Sequence, residues 1–287
     1  MRVALAEVAP VLRDPAANAA RASAIVRAAR ADLVVLPEMF LTGYRLGDDV
    51  HRLAIEPAAL ARGPIGAAAR ETGAAVVVGA PVRGPRPGEV ANAAVVVGTD
   101  GSVAVQAKRY LPTYGPFEEG ALFSAGATSE PVRAGAATLG LAICYDAFFP
   151  EVFTPLAVGG AEMFAILSAA PVTSRRLFEK VLPARAVENA VPLVYVNRVG
   201  VEDGLVFGGG SGAWDVRGEP IPLAPVALDG LGADERVGVA PIDLADAARW
   251  RPFRPVVRDR AARPGPPPAA DRTARPRSRR SIRTGRL

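Results

Sequence analysis

Residues 3–36 decide the fold class, because they read VALAEV (3–8), PAANAARASAIVRAAR (15–30) and DLVVL (32–36). The first and third stretches are short apolar runs that are typical of buried strands. The Ala-rich stretch between them predicts a helix with Pro15 in its first turn. Together they predict a strand–helix–strand unit, from which layered α/β proteins are built.

The same alternation of strands and helices continues along the chain. Strands are predicted at 74–80, 91–98, 102–107, 137–143, 162–167, 192–197, near 211–215 and at 236–242, and helices at 57–71, near 149–158 and at 174–189. The TDG turn at 99–101 joins two of the strands as a hairpin. No Pro/Gly/Ser-rich linker interrupts this pattern before about residue 258. We therefore expect one α/β domain over residues 1–257.

The C-terminal segment, residues 258–287, differs in composition from the rest of the chain. It contains ten Arg and two Asp, a charge of +8, which leaves −3 on residues 1–257. Its Pro-rich runs carry almost nothing apolar to bury, so we expect a disordered tail. The basic tail raises the alternative of a nucleic-acid-binding protein on an inactive enzyme scaffold. The mildly acidic domain argues against nucleic acid as a partner.

One Cys and one His in 287 residues exclude several classes of protein. A single Cys forbids an intramolecular disulfide, and together with His51 it leaves too few soft ligands for a structural zinc site. The N-terminus MRVALAEVAP lacks a signal-peptide core, and no apolar run reaches the length of a membrane span. We therefore expect a cytoplasmic protein that binds neither metal nor membrane.

Three residues that could take part in catalysis lie where apolar strands end. Glu38 follows VVLP, Lys108 ends VAVQAK and Cys144 ends GLAIC. Substrates meet side chains at such strand ends in α/β sheets. A thiol that precedes a helix can act as a nucleophile, and a carboxylate can serve as its base where histidine is lacking. The structural alternatives are a solvated glutamate, a surface lysine and a buried free cysteine.

The segments that carry these residues resemble the nitrilase, or carbon-nitrogen hydrolase, superfamily. They are VLPEMFLTGY (35–44), KRYLPTYGPFEE (108–119) and ICYDAFFPE (143–151), supported by RAVENAVP (185–192), VNRVG (196–200) and GGSGAWD (209–215). The resemblance extends over about residues 2–257. It implies a single-domain, four-layer αββα sandwich of the nitrilase type.

The resemblance also implies a role for each catalytic residue. Glu38 would be the general base, Lys108 the partner of the oxyanion and Cys144 the nucleophile. Glu119 matches the second glutamate of the family, which helps to position the substrate, and Glu118 is its rival. The implied substrate-binding residues are Tyr44, Tyr114, Phe117, Tyr145, Phe148 and Ala169.

The implied activity is hydrolysis of a non-peptide C–N bond in a small amide, through a thioester and without any cofactor. A nitrilase and an N-carbamoyl amidase are the alternatives, although Tyr145 stands where nitrilases commonly carry Trp. A fused glutamine-dependent NAD synthetase is not expected, because no synthetase domain follows in this sequence. Family members commonly pair, so we expect at least a homodimer. A purely structural oligomer-forming subunit is a further alternative.

Overall fold

The computed structural model describes residues 1–262. The first half contains β1 (Arg2–Glu7), α1 (Pro15–Ala29), β2 (Leu33–Val35), α2 (Asp49–Leu53), α3 (Pro57–Arg62), α4 (Pro64–Thr72), β3 (Ala75–Arg83), β4 (Val90–Val97), β5 (Val103–Ala107) and α5 (Glu119–Leu122). The second half contains β6 (Val132–Ala134), β7 (Ala137–Ile143), α6 (Pro150–Val158), β8 (Met163–Ser168), α7 (Arg175–Asn189), β9 (Leu193–Asn197), β10 (Val199–Glu202), β11 (Leu205–Gly208), β12 (Gly212–Trp214), β13 (Pro220–Ile221), β14 (Ala224–Pro225), β15 (Arg236–Pro241), α8 (Asp246–Trp250) and α9 (Val256–Ala261). Two short 3₁₀ helices cover Cys144–Phe148 and Val172–Ser174.

The strands of residues 1–262 form two large sheets and one hairpin. The first sheet has the order β14-β15-β1-β2-β3-β4-β5, and β1, β2 and β3 run parallel. The second has the order β13-β12-β9-β8-β7-β6, and β7, β8 and β9 run parallel. The hairpin consists of β10 and β11. Each sheet therefore has a parallel centre whose strand ends share one edge.

Alternate side chains of each strand divide the interior into layers. In β2, Leu33 and Val35 pack between the two sheets, whereas Val34 faces the helix layer that includes α1. On the outer face of the second sheet, Phe164 of β8 packs with Phe153 of α6, and α7 covers the same face. The layers run helix, sheet, sheet, helix. The αββα sandwich predicted from the sequence is confirmed.

Local signals explain where the helices begin and where one prediction was wrong. The Asp14 side chain accepts a hydrogen bond from Ala17 N–H (2.9 Å) and caps α1, with Pro15 at its first position. The single helix predicted over 57–71 is two helices, α3 and α4. Pro64 begins α4, because its ring fits a first turn but cannot continue a preceding helix.

The predicted start of the tail at residue 258 falls inside α9. Arg260 of this helix donates hydrogen bonds to Asn189 Oδ1 (2.7 Å) and Thr154 Oγ1 (3.2 Å), which ties it to α7 and α6. The remainder of the predicted tail, residues 263–287, lies outside the described residues. In residues 1–262, no helix is both long enough and apolar enough to cross a membrane.

Candidate active site

Glu38 follows β2 in a loop that packs directly against β3. The loop can approach so closely because position 79 of β3 is glycine. A Cβ on Gly79 would lie 2.4 Å from both Pro37 O and Met39 N, which is shorter than any real contact. The Gly79 N–H also donates to Pro37 O at 3.1 Å. The position of Glu38 is therefore fixed by backbone contacts on the neighbouring strand.

The fully buried Glu38 carboxylate accepts hydrogen bonds from three donors. Its Oε1 accepts from Lys108 Nζ (2.8 Å) and Asn92 Nδ2 (2.7 Å). Its Oε2 accepts from the backbone N–H of Ala169 at 2.7 Å. These three hydrogen bonds fix the orientation of the Glu38 carboxylate.

Lys108, which directly follows β5, lies fully buried between two carboxylates. Its Nζ donates to Glu38 Oε1 at 2.8 Å and to Glu119 Oε1 at 2.7 Å. Burial lowers the pKa of Lys108, but the negative charges of Glu119 and Glu38 outweigh burial and raise that pKa above its ordinary value. The site therefore holds a permanent ammonium with a defined position.

Glu119, rather than its rival Glu118, joins Lys108. Glu119 begins α5 and is buried, and its Oε1 also accepts a hydrogen bond from Tyr44 Oη at 2.5 Å. Burial raises the pKa of Glu119 to about 7, even though the Lys108 charge acts in the opposite direction. Glu118 is exposed to solvent and precedes α5. The second glutamate of the site is therefore Glu119.

Cys144 directly follows β7 and begins a 3₁₀ helix with a left-handed backbone φ of +47°. Burial raises the pKa of its thiol, the Glu38 charge raises that pKa further, and the Lys108 charge lowers it. The Ser168 hydroxyl, which lowers the pKa of the thiol, accepts a hydrogen bond from Tyr195 Oη at 3.0 Å. The thiol is therefore protonated at neutral pH, and attack requires a base.

Asp146 connects the lysine segment to the cysteine segment. Its Oδ1 accepts hydrogen bonds from the N–H groups of Tyr110 (2.9 Å) and Arg109 (3.2 Å), which directly follow Lys108. Its Oδ2 accepts a hydrogen bond at 3.1 Å from the N–H of Ile143, the residue before Cys144. One buried carboxylate thus sets the spacing between the two segments.

A pocket with about 320 Å³ of empty space, including its open mouth, leads to Cys144. Its lining consists of aromatic and small residues: Tyr44, Pro112, Tyr114, Phe117, Cys144, Tyr145, Phe148, Ala170, Pro171, Ser174 and Phe178. Five of the six expected substrate-binding residues are among them. Ala169 is not, because its backbone N–H is turned to Glu38 and the next residue, Ala170, forms the wall.

The only histidine does not belong to this pocket. His51 lies exposed on α2, and the residues that line the pocket do not include it. Within the described part of the chain, no group of three or more His, Cys, Asp or Glu side chains is placed to hold a metal ion. The titratable groups that surround Cys144 are carboxylates, a lysine and tyrosines.

A family model described as carbon-nitrogen hydrolase matches residues 2–252. The chain belongs to the carbon-nitrogen hydrolase family. This confirms the resemblance seen in the three sequence segments, and the match ends close to the domain boundary expected at residue 257. The αββα layers are the fold of its structural neighbours in the nitrilase superfamily.

Named relatives of this carbon-nitrogen hydrolase differ in activity. A glutamine-dependent NAD(+) synthetase of Rhodobacter capsulatus is 40% identical over 221 residues, which cover 73% of this chain and 39% of the synthetase. A nitrilase of Pyrococcus abyssi is 33% identical over 257 residues, covering 85% of this chain and 90% of that protein. A solved amidase of the nitrilase superfamily from Nesterenkonia is 31% identical, with a TM-score of 0.74 and coverage of 91% and 94% of the two chains. The chain thus spans about two fifths of the synthetase.

Several site residues of this hydrolase were not found by sequence reasoning. Asn92 is the only polar residue in the strand VANAAVVV, and this isolated amide was the available signal. Asp146 stood inside the quoted cysteine segment, but a carboxylate that accepts only backbone N–H groups has no sequence signature. Ser168 and Phe178 lie at a strand end and on a helix face, where only the fold brings them to Cys144.

Proposed function

We propose that this carbon-nitrogen hydrolase is an amidase that cleaves a non-peptide C–N bond in a small amide. The observation that supports this most directly is the buried Glu38–Lys108–Glu119 network at the Cys144 pocket. A carboxyl base, a fixed ammonium and a thiol are the three groups that acyl transfer through a thioester requires.

In the first half-reaction, Glu38 accepts the proton of the Cys144 thiol while sulfur attacks the amide carbonyl carbon. Negative charge moves to the carbonyl oxygen, where Lys108 Nζ and the Tyr145 N–H stabilise it. The Tyr145 N–H lies in the first turn of a 3₁₀ helix, where N–H groups have no partner within the helix. The C–N bond then breaks, and the proton on Glu38 passes to the leaving nitrogen. Ammonia leaves, and the acyl group stays on sulfur.

In the second half-reaction, water attacks the thioester carbonyl and gives a proton to Glu38. The C–S bond breaks, the sulfur recovers its proton from Glu38, and a carboxylic acid leaves as its carboxylate. Glu38 thus serves as base and acid in turn. Glu119 accepts a hydrogen bond from Lys108 Nζ, so its role in this scheme is to hold the ammonium in place.

The size of the pocket favours small substrates. Aromatic rings of Tyr114, Tyr145 and Phe148 pack against one another at its wall, with centroids 5.5 Å and 5.9 Å apart along the row. Such a wall suits a short apolar acyl group.

The deciding experiment is ammonia release from three matched panels of amides, nitriles and ureido acids. We expect release from short aliphatic or aromatic amides, and trapping should add the acyl mass to Cys144, the only thiol in the chain. The Cys144→Ser variant is the control for background hydrolysis. Release from nitriles or ureido acids alone would replace the amidase proposal by one of those activities, and no release from any panel would overturn it.

A further inference from the structure

A buried ion pair outside the pocket holds the residue that contacts Glu119. Arg198 follows β9 and Glu202 ends β10, and both side chains are almost completely buried. Arg198 Nη1 pairs with Glu202 Oε1. Buried ion pairs contribute little net stability, because desolvation offsets their attraction. The more informative property of the pair is therefore the residue that it holds in place, Tyr44.

The pair contacts the backbone of Tyr44 directly and the ring of Tyr44 through Phe207. Glu202 Oε2 accepts hydrogen bonds from Tyr44 N–H (2.8 Å) and Arg45 N–H (2.9 Å). The Arg198 guanidinium lies 4.1 Å from the centroid of the Phe207 ring. That ring packs edge-on against the Tyr44 ring, with centroids 6.0 Å apart. Two routes thus lead from one ion pair to one tyrosine.

We propose that Glu202, held by Arg198, is a positioning residue for the reaction. It fixes Tyr44 so that the Tyr44 hydroxyl reaches Glu119 Oε1, and Glu119 in turn holds Lys108 Nζ. This inference rests on the proposed function, in which Lys108 stabilises the oxyanion. The β10–β11 hairpin thereby contributes to the reaction, although it lies outside the segments that carry Glu38, Lys108 and Cys144.

The test uses a readout that needs no substrate, namely the rate at which iodoacetamide alkylates Cys144 as a function of pH. The titratable groups that face Glu119 are Lys108, Glu38, Tyr44 and the Cys144 thiol. Ionised Glu119 raises the pKa of Cys144, so alkylation should show an inflection where Glu119 titrates. The Tyr44 hydrogen bond lowers the pKa of Glu119, so its loss should move the inflection to higher pH.

Glu202→Asp keeps the charge that neutralises Arg198 but shortens the reach to the Tyr44 N–H. We expect it to raise the inflection by about half a pH unit or more, as Tyr44→Phe should, and the double variant should shift no further than the larger single effect. If Glu202→Asp does not fold, Arg198→Lys loosens the same contact and retains both charges. An inflection unchanged from wild type, or shifts that simply add, would overturn the proposal.

Glu235 provides a matched control, because its hydrogen-bond partners include neither Tyr44 nor Glu119. Like Glu202, it accepts two backbone hydrogen bonds, from Ala9 N–H and Gly232 N–H (both 2.7 Å), and it pairs with Arg21. Glu235→Asp should lower the melting temperature without moving the alkylation inflection. A shift of equal size in Glu235→Asp would reduce Glu202 to a structural role. Because alkylation is independent of turnover, failure of the amidase proposal would show only in the ammonia assays.

Discussion

In the proposed mechanism, the compact charge of the Lys108 ammonium interacts with two carboxylates and with the oxyanion. Arginine carries the same charge on a wider planar fork, which does not suit a fully buried position between two carboxylates. We expect Lys108→Arg to lower kcat at least about a hundredfold and to destabilise the fold by about 1–3 kcal/mol through overpacking. Lys180→Arg on the exposed face of α7 is the matched control, expected within about 0.5 kcal/mol of wild type.

Steady-state kinetics on an active amide and thermal melts of both lysine variants provide the measurement. A Lys108→Arg enzyme with near-normal kcat would contradict the oxyanion role. A mechanism with Glu38 and Cys144 would then need a different group to stabilise the oxyanion.

Cys144 combines the reacting sulfur with a backbone conformation that glycine adopts most easily. Cys144→Ala should abolish turnover and leave the melting temperature within a few degrees, because one sulfur contributes roughly 1 kcal/mol of packing. Cys144→Gly should be equally inactive and no less stable than Cys144→Ala, since relief of the positive φ offsets the lost methyl group. Calorimetry of the two variants measures this, and a glycine variant markedly less stable than alanine would show that the turn is unstrained.

Glu119 makes the stability of the protein depend on pH. Its pKa is raised from the ordinary value of 4.5 to about 7, so the folded chain binds this proton more tightly than the unfolded chain. Its stabilising contribution is complete below pH of about 4.5 and is lost as the pH rises through about 7. Glu119→Gln should reduce this fall by on the order of 3 kcal/mol, because a pKa difference of one corresponds to about 1.4 kcal/mol.

Denaturant unfolding between about pH 4 and pH 8 measures that slope. Burial raises the pKa of Asp146 to about 6, so Asp146 contributes a fall of the same sign at lower pH. Glu119→Gln should therefore flatten only the upper part of the curve. A variant curve parallel to the wild-type curve at every pH would exclude Glu119 as the source.

At the scale of elements, Asp146 joins the segment after β5 to the turn after β7. An asparagine there has only one acceptor oxygen, so either the Tyr110 side or the Ile143 side of the contact is lost. We expect Asp146→Asn to lower kcat about tenfold or more by moving Lys108 relative to Cys144. Asp215→Asn is the control, because Asp215 also accepts backbone hydrogen bonds, from Arg217 N–H and Glu219 N–H, far from the lysine and cysteine segments in sequence. Equal kcat losses in the two variants would contradict the linking role.

The elements also show what the sequence could predict. Glu38, Lys108 and Cys144 could be found because each ends a buried apolar run, and parallel strands bring their ends together. The β10–β11 hairpin was missed, because its strands are only four residues long and half exposed. The contact of Ala169 with Glu38 could not be predicted, since it comes from a backbone N–H that carries no side-chain signal.

At the scale of the whole molecule, α9 decides where the chain can be shortened. A chain that ends after Ala262 keeps the contacts of Arg260 with Asn189 and Thr154, whereas a chain that ends after Pro255 loses them. We expect the longer chain to match the full-length protein in kcat and melting temperature. The shorter chain should melt several degrees lower, because a buried amide oxygen of Asn189 loses its donor. Loss of kcat in the longer chain would show that residues 263–287 reach an active site.

Glu38 belongs to both halves of the sandwich at once. Its oxygens are held by Asn92 and Lys108 from the first sheet and by Ala169 from the second. Neither half alone contains all the hydrogen-bond donors to Glu38. We therefore expect that two separate halves, expressed one at a time, have no activity. Two co-expressed fragments could regain turnover only if their sheets packed against each other. Turnover by the fragments would therefore report their association.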